Sequence, residues 1–382
     1  MMQRSMWTRL LVAALVSIVG ACALVSTGVG ANKKPITVGM VVALSGAVAG
    51  GEAPLVNGVK MAVAEINSAG GINGRSLNVV FEDTGSEQTG GVNAYNRILS
   101  RHPVAIMDTT VSGFVLSQMP SIKAAGIPTF TGGASIQLSR ANQGAENLYR
   151  VRTSDARVPR AAVRFALNDL KATKIGVIYV NNQYGNGWKD AINETLASRK
   201  LKAAGVESYS PTDSDLTPQL LHLKNDGAQV VIFVGDPPNQ VLGMLQAKQL
   251  NVPYKLITSN AGMLPTTLKL IPTEASEGVF GTVDSLPSVN SRSKGWATRY
   301  KATFNISADY SAAEYYDAVQ MLARSLRAKG TDSVALNKSL RNIRVYRGMG
   351  NVYSFAGQGD GGAGVAIAKV VSGQPTLAKE MV

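Results

Sequence analysis

The sequence predicts an α/β protein made of two similar lobes, each with a mainly parallel sheet covered by helices. Short apolar runs typical of buried strands alternate with amphipathic stretches typical of helices, and glycine-rich turns separate them. This rhythm begins at Ile36 and begins again at Lys174. A chain of 382 residues is long enough for two units of ordinary size.

The first half contains one clear helical stripe, which ends at Gly70-Gly71. Its apolar residues recur at helical spacing and are Leu55, Val59, Ala62 and Ile66. The strands predicted here are Ile36–Leu44, Leu77–Glu82 and Val104–Asp108, and a second helix is predicted over Val92–Leu99.

The second half repeats this order. The strands predicted are Lys174–Val180, Gln229–Gly235, Lys255–Ser259 and Val279–Val283, and the helices are those near Trp188–Leu196, Leu216–Leu223, Val241–Gln249 and Glu314–Arg327. The last helix has an apolar stripe, and we interpret that stripe as core rather than as a ligand surface.

Two strand ends carry small polar residues and glycine. Ile127–Ser139 begins as a strand and continues into Gly132, Gly133, Ala134 and Ser135, and Met107–Phe114 runs in the same way into Ser112 and Gly113. Neighbouring strand ends of this kind form small-molecule sites at the carboxyl edge of a parallel sheet. The alternative is two ordinary turns with N-capping serines.

Residues 1–31 have the pattern of a targeting segment. Arg4 and Arg9 precede Leu10–Val25, an uncharged apolar run of 16 residues, which is shorter than the ~20 that a membrane span needs. Cleavage after Ala31 would release a soluble protein, which is the preferred interpretation. The alternative is a lipobox ending at Cys22, which would carry a lipid anchor. Both alternatives predict export.

Cys22 is the only cysteine, so the exported part has no disulfide, cysteine metal site or thiol nucleophile. The formal net charge is +13, which favours anionic partners, but the basic residues are scattered with few aromatics between them. We therefore expect no nucleic acid partner. The densest basic group is interpreted as a solvated face, with a domain-interface or cleft role as the alternative; it comprises Arg150, Arg152, Arg157, Arg160 and Arg164.

The sequence predicts a binding protein rather than an enzyme, with no metal ion and no cofactor. His102 and His222 are the only histidines, and neither belongs to a metal-binding or nucleophile motif. Ser291–Lys294 matches S-x-x-K without its companion motifs, and Gly357–Gly362 matches G-x-G-x-x-G without the strand and helix that a dinucleotide requires.

An ordered set of motifs resembles the periplasmic leucine/isoleucine/valine-binding proteins, the substrate-binding proteins of ABC transporters. The resemblance covers roughly residues 35–380. It rests on LSGAVAGGEAPLVNGVKMAVAEINSAGGINGRSLNVVFED (Leu44–Asp83), on KAAGIPTFTGGAS, on NNQYGNGW and on the late YYDAV.

The resemblance implies a type I periplasmic binding fold, in which two Rossmann-like lobes with parallel-rich sheets are joined by three crossing segments. We expect the crossings near Arg152–Val158, Asp284–Asn290 and Tyr346–Gly350. The first lobe would then be residues 35–153 plus 286–347, and the second 154–285 plus 348–382. The ligand would lie in the cleft between the lobes.

The resemblance also assigns ligand-binding residues. Ser112 and Ser135 would hold the α-carboxylate, together with main-chain N–H groups of the turn that includes Ala134. The Gly133 carbonyl would accept from the α-ammonium, and Tyr184 would close over the ligand from the second lobe. The alternative for Tyr184 is a loop tyrosine packed on the neighbouring tryptophan.

Two positions depart from the branched-chain pattern. An acidic residue is usual after strand KLITS, but here the chain has Asn260, and VGDPP has Asp236 where the family often has an aromatic residue. Asp236 either replaces the missing charge or caps the turn before Pro237. The loop Ala49–Pro54 also lacks a tyrosine that many members place over the ligand side chain.

The expected function is that of an exported, monomeric solute receptor for an inner-membrane ABC permease in the periplasm. It would bind a small carboxylate-bearing ligand, with a branched-chain or related amino acid favoured, and close on it by a hinge motion. The alternative is a sensor of the same fold for amides, urea or aromatic acids, without transport.

Overall fold

A computed structural model describes residues 33–139, 144–288, 290–357 and 360–381. The predicted targeting segment and the lipid-anchor candidate Cys22 lie outside these residues. From Pro35 onward the chain forms one compact unit. Among the described residues, no helix has both the length and the apolar character that a membrane span requires.

The first part of this unit alternates strands and helices as predicted. The elements are β1 (Ile36–Val42), α1 (Ala49–Ser68), β2 (Leu77–Asp83), α2 (Gln88–Leu99), β3 (Ile106–Asp108), α3 (Ser112–Ala125), β4 (Thr129–Thr131) and β5 (Leu148–Thr153). A short 3-10 turn, Ile136–Leu138, follows β4.

The alternation then starts again. The elements are α4 (Val158–Asn168), β6 (Ile175–Val180), α5 (Gln183–Ala197), β7 (Gly205–Tyr209), α6 (Thr217–Asn225), β8 (Val230–Val234), α7 (Pro237–Gln249), β9 (Lys255–Thr258), α8 (Pro265–Leu268), α9 (Thr273–Ser276) and β10 (Phe280–Val283). A 3-10 turn, Asn260–Met263, follows β9.

The last part adds helices to one lobe and strands to both. The elements are α10 (Lys294–Phe304), α11 (Tyr310–Lys329), α12 (Ser333–Arg341), β11 (Tyr346–Arg347), β12 (Val352–Tyr353), β13 (Asp360–Gly362), β14 (Ala366–Val371) and β15 (Gln374–Glu380).

The strands of the described chain form two sheets, one in each lobe. The first has the order β11-β12-β13-β5-β4-β3-β1-β2, and the second β15-β14-β10-β9-β8-β6-β7. Pairing is parallel from β2 to β13 in the first sheet and from β7 to β10 in the second. The predicted fold class, two α/β lobes with parallel-rich sheets, is therefore confirmed.

The chain passes between the sheets in three places, and the third lies later than expected. The first passage follows β5, and the second follows β10. Strands β11, β12 and β13 all belong to the first sheet, so the chain leaves it only after Gly362 and enters the second sheet at Ala366. The crossing expected at Tyr346–Gly350 is wrong because this stretch forms a hairpin within the first sheet. Described residues between 348 and 362 thus belong to the first lobe.

Helix α11 is the centre of the first lobe's core. Its stripe of Tyr315, Val319, Leu322 and Leu326 is at most 1% exposed, so the interpretation of this stripe as core is confirmed. Burying each such side chain stabilises the fold by roughly 1.5–3 kcal/mol. In the second lobe, Trp188 and the rest of its predicted stripe are equally buried.

Candidate functional site

The two small-residue turns lie side by side at the carboxyl edge of the first sheet. Strands β3 and β4 are parallel neighbours, with Asp108 opposite Thr131. The Ser112 hydroxyl oxygen accepts hydrogen bonds from the main-chain N–H groups of Ala134 (3.1 Å) and Ser135 (3.2 Å). The structure therefore brings Ser112, Ala134 and Ser135 together, and all three are buried.

Two glycines let this turn pack tightly. A Cβ added at Gly132 would lie 2.7 Å from Thr110 Cγ2, and one at Gly133 would lie 2.6 Å from Leu138 Cδ1. The Gly133 N–H donates to Thr131 Oγ1 at 2.9 Å, which fixes the peptide orientation. These glycines are needed for space, since neither has a positive φ.

Arg150 supports the turn from behind. Its guanidinium donates to the carbonyl oxygens of Ala134 and Ser135, both at 2.8 Å, and pairs with Asp360 at 3.3 Å. The interpretation of the basic group as a solvated face is wrong for Arg150 and Arg152, which are 2% and 7% exposed. The other three arginines of that group are exposed.

Asp155 is an acidic residue whose main chain contacts the serine turn. Its N–H donates to the Ala134 carbonyl at 2.9 Å, and its Oδ1 accepts from Trp188 Nε1 at 2.8 Å. Its Oδ2 is buried and has no hydrogen-bond partner among the described residues. Burial raises the pKa of the carboxyl to about 7, although the nearby Arg152 and Arg150 lower it.

Sequence reasoning missed Asp155. Its position in the sequence could have identified it. Asp155 lies in the predicted first crossing, beside the arginine group, and a segment that passes between two lobes also borders the cleft between them.

Tyr184 stands near Asp155 at the start of α5. Its ring meets Trp188 edge to face at 6.0 Å, as the packing alternative proposed, and the side chain remains half-buried. Burial raises the pKa of its hydroxyl, the negative charge of Asp155 raises it further, and a hydrogen bond with Ser259 lowers it. Tyr184 therefore packs on Trp188 as the alternative predicted, and its closure over a ligand stays a prediction.

Asp236 occupies the N-cap position of α7, as the capping alternative proposed. Its N–H donates to Asn239 Oδ1 at 3.3 Å, and its Oδ2 accepts from Asn182 at 3.4 Å. Burial raises the pKa of the carboxyl to about 6, and the charge of Glu52 in the first lobe adds to the rise. Asp236 thus serves as a cap, and its contact with a ligand stays a prediction.

Both the nitrogen and the oxygen of the Asn260 side-chain amide form hydrogen bonds. Its Nδ2 donates to Asp284 Oδ1 at 2.6 Å, and its Oδ1 accepts from Thr282 at 2.6 Å. The side chain is 1% exposed. Asn260 therefore ties the second lobe to the second crossing segment, and its amide oxygen is already used.

Glu52 was also missed by sequence reasoning. Its carboxylate accepts from the N–H groups of Ala43 and Thr110, each at 2.7 Å, and from the Thr109 hydroxyl. Burial raises its pKa. The expected loop at Ala49–Pro54 is the first turn of α1, and its Glu52 fastens that turn to the loop after β3.

A buried polar network joins the crossing segments. Asp284 accepts from the Thr153 N–H at 2.7 Å and lies 3.7 Å from Arg152 Nε. Glu314 accepts from Asn351 at 3.2 Å, and burial together with the charge of Asp284 raises its pKa well above the ordinary value. Asn351 Oδ1 in turn accepts from the N–H groups of Ala363 at 3.0 Å and Gly364 at 2.8 Å in the third passage. The network therefore connects all three passages between the lobes.

The described residues contain no cluster of three or more side chains suited to hold a metal ion. The site offers hydroxyls, main-chain N–H groups and carboxylates, which are groups that recognise a small polar ligand.

Comparisons with known proteins identify the family of the chain. The family model described as "Periplasmic binding protein" matches residues 35–375. A Leu/Ile/Val-binding protein homolog 3 of Brucella melitensis is 27% identical over 80% of this chain and 83% of its own. A leucine-, isoleucine-, valine-, threonine- and alanine-binding protein of Pseudomonas aeruginosa is 24% identical over 79% of this chain and 81% of its own.

Solved structures share the fold at lower identity. The branched-chain amino acid transporter substrate-binding protein LivJ of Streptococcus pneumoniae, in complex with isoleucine, has a TM-score of 0.84 and 19% identity, covering 91% of this chain and 99% of that one. A solute-binding protein of an ABC transporter from R. palustris, in complex with benzoate, has a TM-score of 0.82 and 16% identity, covering 91% and 96%. The family match over residues 35–375 shows that the chain belongs to the periplasmic binding protein family and is a binding protein rather than an enzyme.

Proposed function

We propose that the protein is the periplasmic solute receptor of an ABC importer and binds a small α-amino acid, of the branched-chain or a related kind, between its lobes. One observation carries this proposal. The turn formed by Ser112, Ala134 and Ser135 is joined through the Ala134 carbonyl to the main chain of Asp155, and one buried carboxylate oxygen of Asp155 has no partner within the described chain.

The carboxylate of the ligand belongs at the serine turn. Two N–H groups already converge on the Ser112 oxygen, and the Ser135 hydroxyl accepts from Gln137 N–H at 3.3 Å. A ligand carboxylate would take over these donors and accept from both hydroxyls. The amino end of the 14-residue helix α3, which begins at Ser112, favours negative charge there.

The ammonium belongs at Asp155. A buried carboxylate oxygen without a donor is costly, and an ammonium supplies three donors. The Gly133 carbonyl and Tyr184 complete this end as the resemblance implies. Asp236, at the start of α7, is the second acidic candidate, while Asn260 supports the site through its hydrogen bond to Asp284.

Relatives support an amino acid, since the curated ones cited above are named for leucine, isoleucine and valine. The benzoate-bound neighbour shares only the fold, yet it makes an acid without an ammonium the main competing ligand class. A sensor of the same fold without transport is the competing role. In the proposed role, the ligand bridges both lobes of a monomer, and the closed form is what the inner-membrane permease recognises.

Isothermal titration tests the ligand class. The compounds are leucine, isoleucine, valine, alanine, urea, benzoate and 4-methylpentanoate, which is leucine without its amino group. Wild-type protein is compared with Asp155→Asn and with Asp190→Asn, an exposed aspartate on α5. We expect an aliphatic amino acid to bind tightest and to lose ~2–5 kcal/mol in Asp155→Asn, the range for truncating one partner of a buried charge pair.

In this experiment Asp190→Asn should bind as wild type does, and the des-amino acid should not distinguish Asp155→Asn from wild type. Tighter binding of benzoate or 4-methylpentanoate than of any amino acid would overturn the proposed ligand class.

A further inference from the structure

A second cavity lies beside the second crossing segment, with a volume of about 220 Å³. Its walls come from the crossing segment, from the start of α11 and from the second lobe. They include Ser285, Leu286, Asp309, Tyr310, Met263 and Pro375. Within the described chain, no residue assigned to the cleft site lines this cavity.

Asp309 has one carboxylate oxygen that the fold does not use. As the N-cap of α11, its Oδ1 accepts from the Ala312 N–H and from the Ser311 hydroxyl, both at 2.8 Å. Its Oδ2 is buried and lacks any hydrogen-bond partner in the part of the chain described, and the residue is 6% exposed. Capping requires only one oxygen, so the buried second oxygen has no structural explanation.

Ser285 adds another polar atom to the same cavity. Its Oγ is also buried without a partner among residues the structure describes. Apart from these groups, the wall includes the apolar side chains of Met263, Leu286 and Val283. The lining also includes Ser288, Ser307 and Gln374, so the cavity combines apolar side chains with several polar ones. Small-molecule sites likewise combine apolar walls with a few polar groups.

The charge of the polar group sets the ligand chemistry. Burial raises the pKa of Asp309 to about 6, so most of the carboxyl is ionised at pH 7.5 or above. An ionised carboxylate only accepts hydrogen bonds. The matching ligand group is therefore a donor, and a cation is preferred over a neutral group because the carboxylate is desolvated.

The volume sets the ligand size. A cavity of about 150 Å³ holds benzene, so this one suits a molecule of roughly six to eight non-hydrogen atoms. We propose that the cavity is a second ligand site, which binds a small primary alkylammonium through Asp309 Oδ2 and Ser285 Oγ, with the alkyl chain against Met263 and Leu286. Such an occupant contacts both lobes and the crossing segment.

Ligand-observed NMR and isothermal titration with n-pentylammonium test this site at pH 8, with n-pentanol and pentanoate as size-matched probes. The variant is Asp309→Asn, since asparagine caps a helix as well as aspartate does. The control is Asp332→Asn, because Asp332 caps α12 in the same way, accepting from Ala335 at 2.8 Å. We expect saturable pentylammonium binding that is at least tenfold tighter than pentanol or pentanoate binding. It should weaken at least tenfold in Asp309→Asn and stay unchanged in Asp332→Asn.

A second variant keeps the test decisive if Asp309→Asn unfolds. Ser285→Ala removes one hydroxyl from the cavity and should weaken pentylammonium binding severalfold. The proposal would be overturned if pentylammonium did not bind wild type saturably. It would also be overturned if Ser285→Ala, and Asp309→Asn where it folds, bound pentylammonium as tightly as wild type does. If Asp155→Asn rather than the cavity variants lost pentylammonium binding, the amine would lie in the main cleft, and the proposal would also be overturned.

Discussion

At the scale of single residues, Ser112 is the centre of the proposed carboxylate site. Its hydroxyl oxygen accepts hydrogen bonds from two main-chain N–H groups, and a carboxylate oxygen of the ligand would be held at the same place. We predict that the double variant Ser112→Ala, Ser135→Ala binds the native ligand at least tenfold more weakly. Charge-assisted hydrogen bonds contribute ~1.5–3 kcal/mol each. Isothermal titration measures the change.

The matched control is Ser117→Ala. Ser117 lies on the same helix and donates to the Gly113 carbonyl at 2.9 Å. Its removal should leave the affinity unchanged. A double variant that binds with wild-type affinity would show that the serine turn is not the carboxylate site.

Asp236, at the start of α7, and Asp155, at the first crossing, are rival partners for an ammonium. Asp155 has an unpaired buried oxygen within the described structure, whereas Asp236 already accepts from Asn182 at 3.4 Å. If Asp236 pairs with the ammonium, Asp236→Asn weakens amino-acid binding by ~2–5 kcal/mol. We predict a smaller loss than in Asp155→Asn, measured by titration of both variants. The reverse order would make Asp236 the principal partner.

At the scale of elements, the sequence anticipated the long helices and the buried strands, because their patterns are set by burial alone. Strand β8 (Val230–Val234) and helix α11 (Tyr310–Lys329) are examples, since each is buried along its apolar positions. Strand β7 (Gly205–Tyr209) was missed because it is an edge strand with alternating exposed residues.

The third crossing was misplaced for a related reason. Strands β11 and β12 have two residues each, too few to give a period. The site residues on one turn were predictable from local sequence. Asp155, Glu52 and the engagement of Asn260 were not, because each depends on partners more than 20 positions away.

Helices α1 and α11 pack closely at Gly58, the glycine of the Asn-Gly motif. A Cβ added there would lie 2.1 Å from the Ala312 carbonyl oxygen. We predict that Gly58→Ala destabilises the protein by ~1–3 kcal/mol, the usual cost of overpacking. Chemical denaturation measures this change.

Gly50→Ala is the control for Gly58→Ala, because Gly50 lies on the same helix with no atom within 4 Å of an added Cβ. It should be neutral or stabilising, since alanine favours helix over glycine by up to ~1 kcal/mol. Equal stability of the two variants would contradict the packing argument.

At the scale of the whole molecule, the proposed mechanism requires the lobes to move. They already lie close together where α1 meets α7, since a Cβ added at Gly51 would lie 2.9 Å from Pro237 Cγ. We predict a smaller radius of gyration by small-angle scattering when saturating ligand is added, with unchanged circular dichroism. Equal radii with and without ligand would indicate a rigid scaffold.

The pH dependence of stability follows from buried carboxyls whose pKa values are raised. Burial raises the pKa of Asp155 and of Asp317 to about 7. The folded state therefore binds more protons than the unfolded state between about pH 4 and pH 7. Stability from these groups is fully present below the unfolded pKa and is lost as pH rises through 7. The ligand-free protein should thus unfold at a higher temperature at pH 5 than at pH 8.

Ligand affinity should depend on pH in the opposite direction. An ammonium beside Asp155 favours the ionised carboxylate, so binding an amino acid lowers its pKa from about 7 and expels its proton. As pH falls from 7 to 5, each unit should weaken amino-acid binding by up to ~tenfold, because the proton must be displaced. Titration across this range measures how affinity changes with pH, and titration in buffers of different ionisation enthalpy counts the protons released.

Asp155→Asn should remove most of this pH dependence, whereas Asp190→Asn should retain it. Binding of the des-amino acid should not show it. A wild-type affinity that is constant from pH 5 to pH 8 would exclude Asp155 as the ammonium partner. A slope that persists in Asp155→Asn but disappears in Asp236→Asn would transfer that role to the second lobe, where burial raises the pKa of Asp236 to about 6.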